Sequence, residues 1–276
     1  MAKTSELVVK SNRLVEACYR LNLIEQQIIL FAISRSRDEQ LGLSPNNPVT
    51  IAASAFAKVF GTNESKVYGQ LKEALGDLFE RSVTIYDTDP ATGKDRTVTT
   101  RWISDKAYID GAGHIQLTFA PRVIPYITRL ESEFTSYRLE KISGMSSAHA
   151  VRLYELLVQY LTIGKREIEL SDLRKSLGLT DEYKAIKDFK KRVIDVAVAQ
   201  INEHSDIRVS YTQRKTGRIV SHLIFAIKPE PKSDQVKRKK GHKLTDAEIE
   251  EQGLALPGES WEAARARLNQ MPLDLA

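Results

Sequence analysis

Between residues 184 and 192 lie five basic side chains, Lys184, Lys187, Lys190, Lys191 and Arg192, with Asp188 as the single acid. On a helix, Lys184, Lys187 and Lys191 share one face, Lys190 and Arg192 flank it, and Ile186, Phe189, Val193, Val196 and Ile201 lie opposite. One face would enter a core and the other would meet anions. A second basic group, Arg214, Lys215 and Arg218, brackets the turn in "RKTGRIVSHLIFAI" at 214–227. If both clusters faced the same way, they would have the chemistry to grip phosphates and reach base edges of duplex DNA. Taken alone, the lysine run reads equally well as a solvated helix face, so its meaning rests on the scaffold that carries it.

That scaffold is repeated. From 49 the pattern predicts a strand (49–51), a helix (52–60), Gly61, a longer helix (64–80), a strand (83–86), the turn Thr92-Gly93-Lys94 and a strand (97–103). From 167 the order returns: strand (167–170), helix (172–177), Gly178, helix (182–203), strand (207–211), the turn Thr216-Gly217-Arg218 and strand (219–227). Gly61 and Gly178 suit the left-handed residue that ends a helix, while Asn63, Ser171, Asp172 and Thr180 suit the positions that cap one. Two helices around a glycine turn, followed by a hairpin, make a helix-turn-helix with a wing. The fold class expected is therefore α+β, two tandem winged helices related by an internal pseudo-repeat, with a flexible C-terminal tail. In the first unit, Lys66 and Lys72 lie on the long helix and Lys94 on the hairpin tip, with no run to match 184–192.

A preceding helix should complete each core. Leu7, Leu14, Leu21 and Ile28 recur every seven residues, with Ala17, Ile24 and Phe31 between them. The absence of sustained flanking charges favours burial in the unit's own core over a coiled-coil seam. In the second unit Ser146 or Ser147 should cap "AHAVRLYELLVQYL", and the join between units should fall near 137–144. Past Ile227, "KPEPKSDQVKRKKGHK" reads as a flexible tether, followed by two short helical segments that either dock or await a partner.

Composition narrows the function classes. The net charge is +5, and all of the basic excess lies in the first 228 residues, because 229–276 holds 8 basic and 9 acidic residues. A basic body suits a polyanionic partner. The longest apolar run, 28–33, is far short of a membrane span, which leads to the expectation of a cytoplasmic protein with no membrane partner. Cys18 is the only cysteine, and His114, His149, His204, His222 and His242 stand apart, so no metal, cofactor or catalytic site is expected. "TDPATGKD" lacks the first glycine and the closing Ser/Thr of a phosphate loop.

Five stretches carry a likeness: "VVKSNRLVEACYRLNLIEQQIIL" (8–30), "FAPRVIPYI" (119–127), "FTSYRL" (134–139), "RLYELL" (152–157) and "FKKRVIDVAVAQIN" (189–202). In that order they resemble the plasmid replication initiators of the iteron-binding, two-winged-helix type, over roughly residues 7–228. The resemblance implies a bacterial, plasmid-associated protein that binds tandem origin repeats as a monomer. It also implies that a dimer represses its own gene at an operator inverted repeat. Origin opening and helicase recruitment would follow, with host initiator, replicative helicase and chaperones as partners. A dedicated winged-helix transcriptional repressor is the alternative. On this reading 1–140 is a dimerisation and auxiliary DNA domain, 141–228 the main sequence-specific domain, and 229–276 a basic tether with a partly helical tail. The residues expected at DNA are Lys184, Lys187, Lys190, Lys191, Arg192, Arg214, Lys215 and Arg218, with Lys66, Lys72 and Lys94 in support.

Overall fold

A computed structural model describes residues 6–44, 46–89, 91–109, 111–128, 133–230, 245–251, 254–255 and 259–270. In the second unit, β9 (Lys165–Glu169), α6 (Leu170–Ser176), Gly178 and a long helix lead into the hairpin β10 (Ile207–Thr216) and β11 (Ile219–Pro229). Strand β9 pairs with the second hairpin strand, Ile168 opposite Leu223, giving the sheet order β10-β11-β9. This is a winged helix. Gly178 sits at φ +67 and ends α6 as its position predicts.

The first unit repeats the plan through β3 (Val49–Ala52), α3 (Ala53–Phe60), Gly61 at φ +63 and α4 (Glu64–Glu80). Its wing, however, is not the hairpin that carries the Thr92-Gly93-Lys94 turn. Strand β3 pairs instead with β7 (His114–Phe119), the second strand of a later hairpin whose first strand is β6 (Ile103–Ile109). The sheet order β3-β7-β6 matches β9-β11-β10. The hairpin of β4 (Ser82–Thr88) and β5 (Asp95–Arg101) is an insertion that pairs with β2 (Cys18–Tyr19). Asp89 fixes its turn, accepting from the Ala91 and Thr92 amides. Turn chemistry is local, and the choice of strand partner is not.

The heptad of leucines is also broken up. Leu7 lies in β1 (Leu7–Ser11), Leu14 in α1 (Asn12–Glu16), Leu21 in a loop and Ile28 in α2 (Leu23–Glu39). All four are buried, so the stripe does serve the core, but not as one helix. Asn22 starts α2 with a reciprocal capping box, accepting from the Glu25 amide while the Glu25 carboxylate accepts from its own amide. Strand β1 pairs with β8 (Phe134–Arg138), following the three-residue helical turn Ile124–Tyr126.

Helix α5 (Ala148–Val158) starts at Ser147, whose hydroxyl accepts from the Ala150 amide, and is buried along most of its length between the two units. From it Glu155 accepts from Lys10 Nζ at 2.7 Å, Tyr137 Oη at 2.6 Å and Arg152 Nη1 at 3.0 Å. Arg152 Nη2 donates onward to the carbonyls of Val15, Ala17 and Ser176. One buried ion network thus stitches β1, α1 and α6 to α5. Each charge in it has the partners that make burial tolerable.

The two C-terminal segments dock. Helices α9 (Asp246–Glu251) and α10 (Trp261–Gln270) form a small core of Ile249, Ala264 and Leu268. The Trp261 ring stacks on Phe134 of β8, with centroids 5.0 Å apart. Of the tether expected from 228, Lys228 and Pro229 instead end β11, and the stretch from 231 to 243 lies outside the described residues.

Candidate nucleic-acid interface

The lysine-rich segment is positioned by Arg174 of α6. Its guanidinium donates to the carbonyls of Glu182 (2.8 Å) and Tyr183 (2.7 Å) and stacks 4.2 Å from the Phe189 ring centroid. Tyr183 is held at φ +50, a conformation incompatible with a continuing helix. The long helix therefore begins at Ile186 rather than near 182. It comprises α7 (Ile186–Phe189), a π turn (Lys190–Ile194) and α8 (Asp195–His204). Lys184 consequently sits on the loop before the helix, not on the helical face expected of it.

The π turn adds one residue to the winding, so the buried face changes register beyond it. Phe189 and Val193 are buried as expected, but Ile194 and Ala197 follow them inward and Val196 turns 40% exposed. Tyr211 and Gln213 of β10 brace the turn. Lys190 Nζ donates to Gln213 Oε1 at 3.0 Å and lies 5.6 Å from the Tyr211 ring centroid. Tyr211 Oη donates to Asp195 Oδ1 at 2.6 Å, and partial burial followed by this carboxylate pushes the phenol up, keeping it a donor.

Between helix and wing opens a groove of about 950 Å³. Lys184, Lys187, Lys190, Lys191, Lys215 and Arg218 line it, with Asp195 as the one lining acid and Leu170, Ile186, Ile219 and Val220 as its apolar wall. Six of the eight basic residues singled out in this unit thus converge. Two do not. Arg192 is exposed but does not line the groove, and Arg214 pairs with Glu167 of β9 at 2.7 Å. Neighbouring strand residues point to opposite faces, and a register shift between Arg214 and Lys215 adds to the divergence.

In the first unit, Lys66, Lys72 and Lys94 are spread over α4 and the inserted hairpin. Lys66 is exposed on α4, Lys72 is half-buried with its ammonium 5.1 Å from the Tyr108 ring centroid, and Lys94 lies at the tip of the inserted hairpin. Lys94 is therefore not a wing residue; the true wing turn, around Gly111 and Gly113, carries no basic side chain. The groove beside α4 is lined by Asn22, Leu23, Ile24, Gln70, Glu73, Ala74 and Asp77, which is net acidic. Sequence reasoning also passed over Arg174, Tyr211, Gln213 and Asp195. Only the aromatic in an otherwise polar strand half hinted at any of them.

Such a groove can hold a backbone of phosphates and offer ammonium groups to guanine O6 and N7 in a major groove. Among the described residues, no group of three or more His, Cys, Asp or Glu is placed to hold a metal, and no helix is long and apolar enough to cross a membrane.

Comparison with known proteins agrees with this architecture. Residues 7–158 match the family described as initiator replication protein, WH1, and residues 169–227 match initiator Rep protein, WH2. An uncharacterised 27.6 kDa protein of Escherichia coli is 22% identical over 226 residues, covering 79% of this chain and 93% of its own. The crystal structure of the Pi initiator protein in complex with iteron DNA superposes with a TM-score of 0.67 at 21% identity, covering 82% of this chain and 98% of that one. The WH1 domain of MSBI1.176, a replication protein isolated from a multiple sclerosis patient, is 36% identical over 41% of this chain and 84% of its own, with a TM-score of 0.34.

Proposed function

This chain belongs to the initiator replication proteins, with both winged-helix domains of that family, and from that premise we propose that it binds directly repeated DNA sites at a plasmid origin. The observation that carries the reading is the convergence of six basic side chains on the groove between the long helix and the wing of the second unit. In this reading the segment 184–191 enters the major groove, and Lys215 and Arg218 follow the adjoining backbone. The Pi initiator, solved with iteron DNA, lends its architecture to the proposal.

The protein makes and breaks no bonds in this scheme. Occupation of adjacent repeats bends the duplex, and the strain favours opening of a neighbouring A/T-rich segment. Host initiator and helicase then load in the bacterial cytoplasm. The monomer binds the direct repeats, a dimer binds an inverted repeat at the gene's own promoter and represses it, and chaperones shift the balance from dimer to monomer. If all six groove cations neutralise phosphates, the slope of log K against log salt is about −5.

The test is a gel-shift titration of full-length protein on the DNA flanking its gene, against scrambled competitor. A ladder of discrete complexes on direct repeats is expected. A single complex, formed only on an inverted repeat, would instead make the chain a dimeric transcriptional repressor.

A further inference from the structure

Past Ile227, where the second family match ends, the chain continues into the helix pair α9 and α10. This pair meets the body at the β1–β8 sheet, whose two faces have different neighbours. On the inner face Val8 enters the main core, while Lys10 Nζ and Tyr137 Oη donate to Glu155 of α5. On the outer face Leu7, Val9 and Phe134 form an apolar cluster of their own, and the further apolar neighbour packed on it, among the described residues, is Trp261 of α10. We propose that the C-terminal helix pair is a detachable strap: docked on the outer face, it stiffens the sheet whose inner face joins the two units, and its release loosens that joint.

Strand alternation makes this division. Residues 7, 9 and 11 face one way and 8 and 10 the other, and the register sets Leu7 opposite Arg138, Val9 opposite Ser136 and Ser11 opposite Phe134. A two-stranded sheet is marginal until further layers cover it. The helix pair is marginal as well, with a core of Ile249, Ala264 and Leu268 and with Leu254, Ala255 and Trp261 at its margin. Trp261 packs on both clusters, so each marginal piece completes the other. Its ring lies 5.0 Å from that of Phe134, centroid to centroid, and 27° from parallel. Within the pair, Arg267 grips Glu259 through Nε and Nη2, each at 2.8 Å, and Arg265 of α10 reaches Asp246 of α9 at 3.3 Å. The two helices therefore dock or leave as one body.

The inner face shows what the strap acts on. Glu155 also accepts from Arg152, whose guanidinium donates to the Ser176 carbonyl of α6. Helix α5 is tied to α8 by Gln200, whose Oε1 accepts from the Ser146 and Ser147 amides at 2.9 and 3.0 Å. A slip of β1 against β8 draws Lys10 and Tyr137 away from a buried carboxylate, and the loss falls on the contact between units. Contact through one ring opens more readily than this buried network, so the strap is the first part to yield. Because residues 231–244 keep the pair attached, it re-docks from an effective concentration on the order of millimolar, which makes release reversible. The strap acts on the fold and does not depend on what the groove of the second unit binds.

The test is hydrogen exchange on the full-length chain, wild type against Trp261→Ala and Trp261→Phe. Losing the ring should speed exchange in 7–11 and 134–138 by about 3- to 10-fold, the worth of one aromatic pair, and leave α3 and the β10–β11 wing unchanged. Trp261→Phe, which keeps a ring over Phe134, should restore most of the protection. The joint is followed with spin labels at Lys58→Cys and Glu203→Cys, one exposed site in each unit, in a Cys18→Ser chain. Their distance distribution should broaden with Trp261→Ala and stay narrow with Trp261→Phe. A second route leaves every packed residue in place: a protease site set into 237–240 is cut in the folded chain. On dilution the helix pair should leave, and the same two strands should lose protection. Faster exchange confined to 245–270 would make the pair a passenger, and equal acceleration in every element would make it a general stabiliser; either result overturns the proposal. So does a label distribution that Trp261→Ala leaves unchanged.

Discussion

The two winged helices share strand order, helix order and a left-handed glycine at the same turn, yet they carry different charge around their long helices. In the second unit, six cations and one acid line the space between long helix and wing. In the first, Lys72 and Lys106 both lie over Tyr108 on the wing side of the equivalent helix, while Glu73 and Asp77 line a groove that this helix shares with α2. Both helices do keep a lysine over a tyrosine of the first wing strand, Lys72 on Tyr108 and Lys190 on Tyr211. The scaffold is common, and the charge placed on it differs. Architecture alone therefore does not say which copy reads sequence.

Four expectations follow from this contrast, and the largest concerns what joins its two halves. Arg152→Ala removes the cation that donates to three carbonyls in α1, its C-terminal boundary and α6, and leaves Glu155 short of a partner. Breaking such a buried network should cost about 3–5 kcal/mol in denaturant unfolding. A cost below about 1 kcal/mol would mean the units are held together by apolar packing alone.

The matched glycines give the next effect. A Cβ at Gly61 meets nothing within 4 Å, whereas one at Gly178 would stand 2.7 Å from the Tyr19 carbonyl oxygen of the other unit. Gly61→Ala should cost only the left-handed strain, about 1–2 kcal/mol. Gly178→Ala must also push the units apart and should melt at a distinctly lower temperature. Equal melting shifts would show that the close approach yields freely.

Acid should distinguish the units by a smaller margin. Hydrogen bonds from Arg96, then from Tyr126, hold the Asp87 carboxyl below the usual carboxylate range despite its burial. Its folded value lies below its unfolded one, so its contribution is present above the ordinary range and is lost as pH falls through the folded value. The stability gap between wild type and Asp87→Asn should therefore shrink on acidification, as followed by urea unfolding at stepped pH. A constant gap would contradict the ion-pair account of the hairpin.

Much of this contrast was legible in the residues. Gly61, Gly178 and Ser147 act through local backbone rules, and the structure places them as those rules require, whereas the lysine run reaches one groove with Lys184 ahead of the helix and Arg192 outside the lining. What depended on partners distant in the chain was not legible. The Thr-Gly-Lys turn at 92–94 makes a sound hairpin, but β3 pairs with β7, so the hairpin is no wing. Leu14, Leu21 and Ile28 keep a seven-residue spacing while falling on α1, a loop and α2. The π turn leaves no mark in the pattern, so the outward swing of Val196 was missed, and the start of the helix at Ile186 was misplaced because it depends on the left-handed Tyr183 that Arg174 holds.

The last expectation goes to the centre of the contrast: the affinity ratio of repeat to scrambled duplex, measured at one salt concentration for two paired variants. Lys187→Ala with Lys191→Ala should collapse the ratio by about tenfold or more, since each base contact discriminates by about 1–3 kcal/mol. Lys66→Ala with Lys72→Ala should leave it within about twofold of wild type, as any contact there is positional. The reverse outcome, discrimination abolished by the Lys66 and Lys72 pair and kept by the Lys187 and Lys191 pair, would contradict the assignment of sequence reading to the second winged helix.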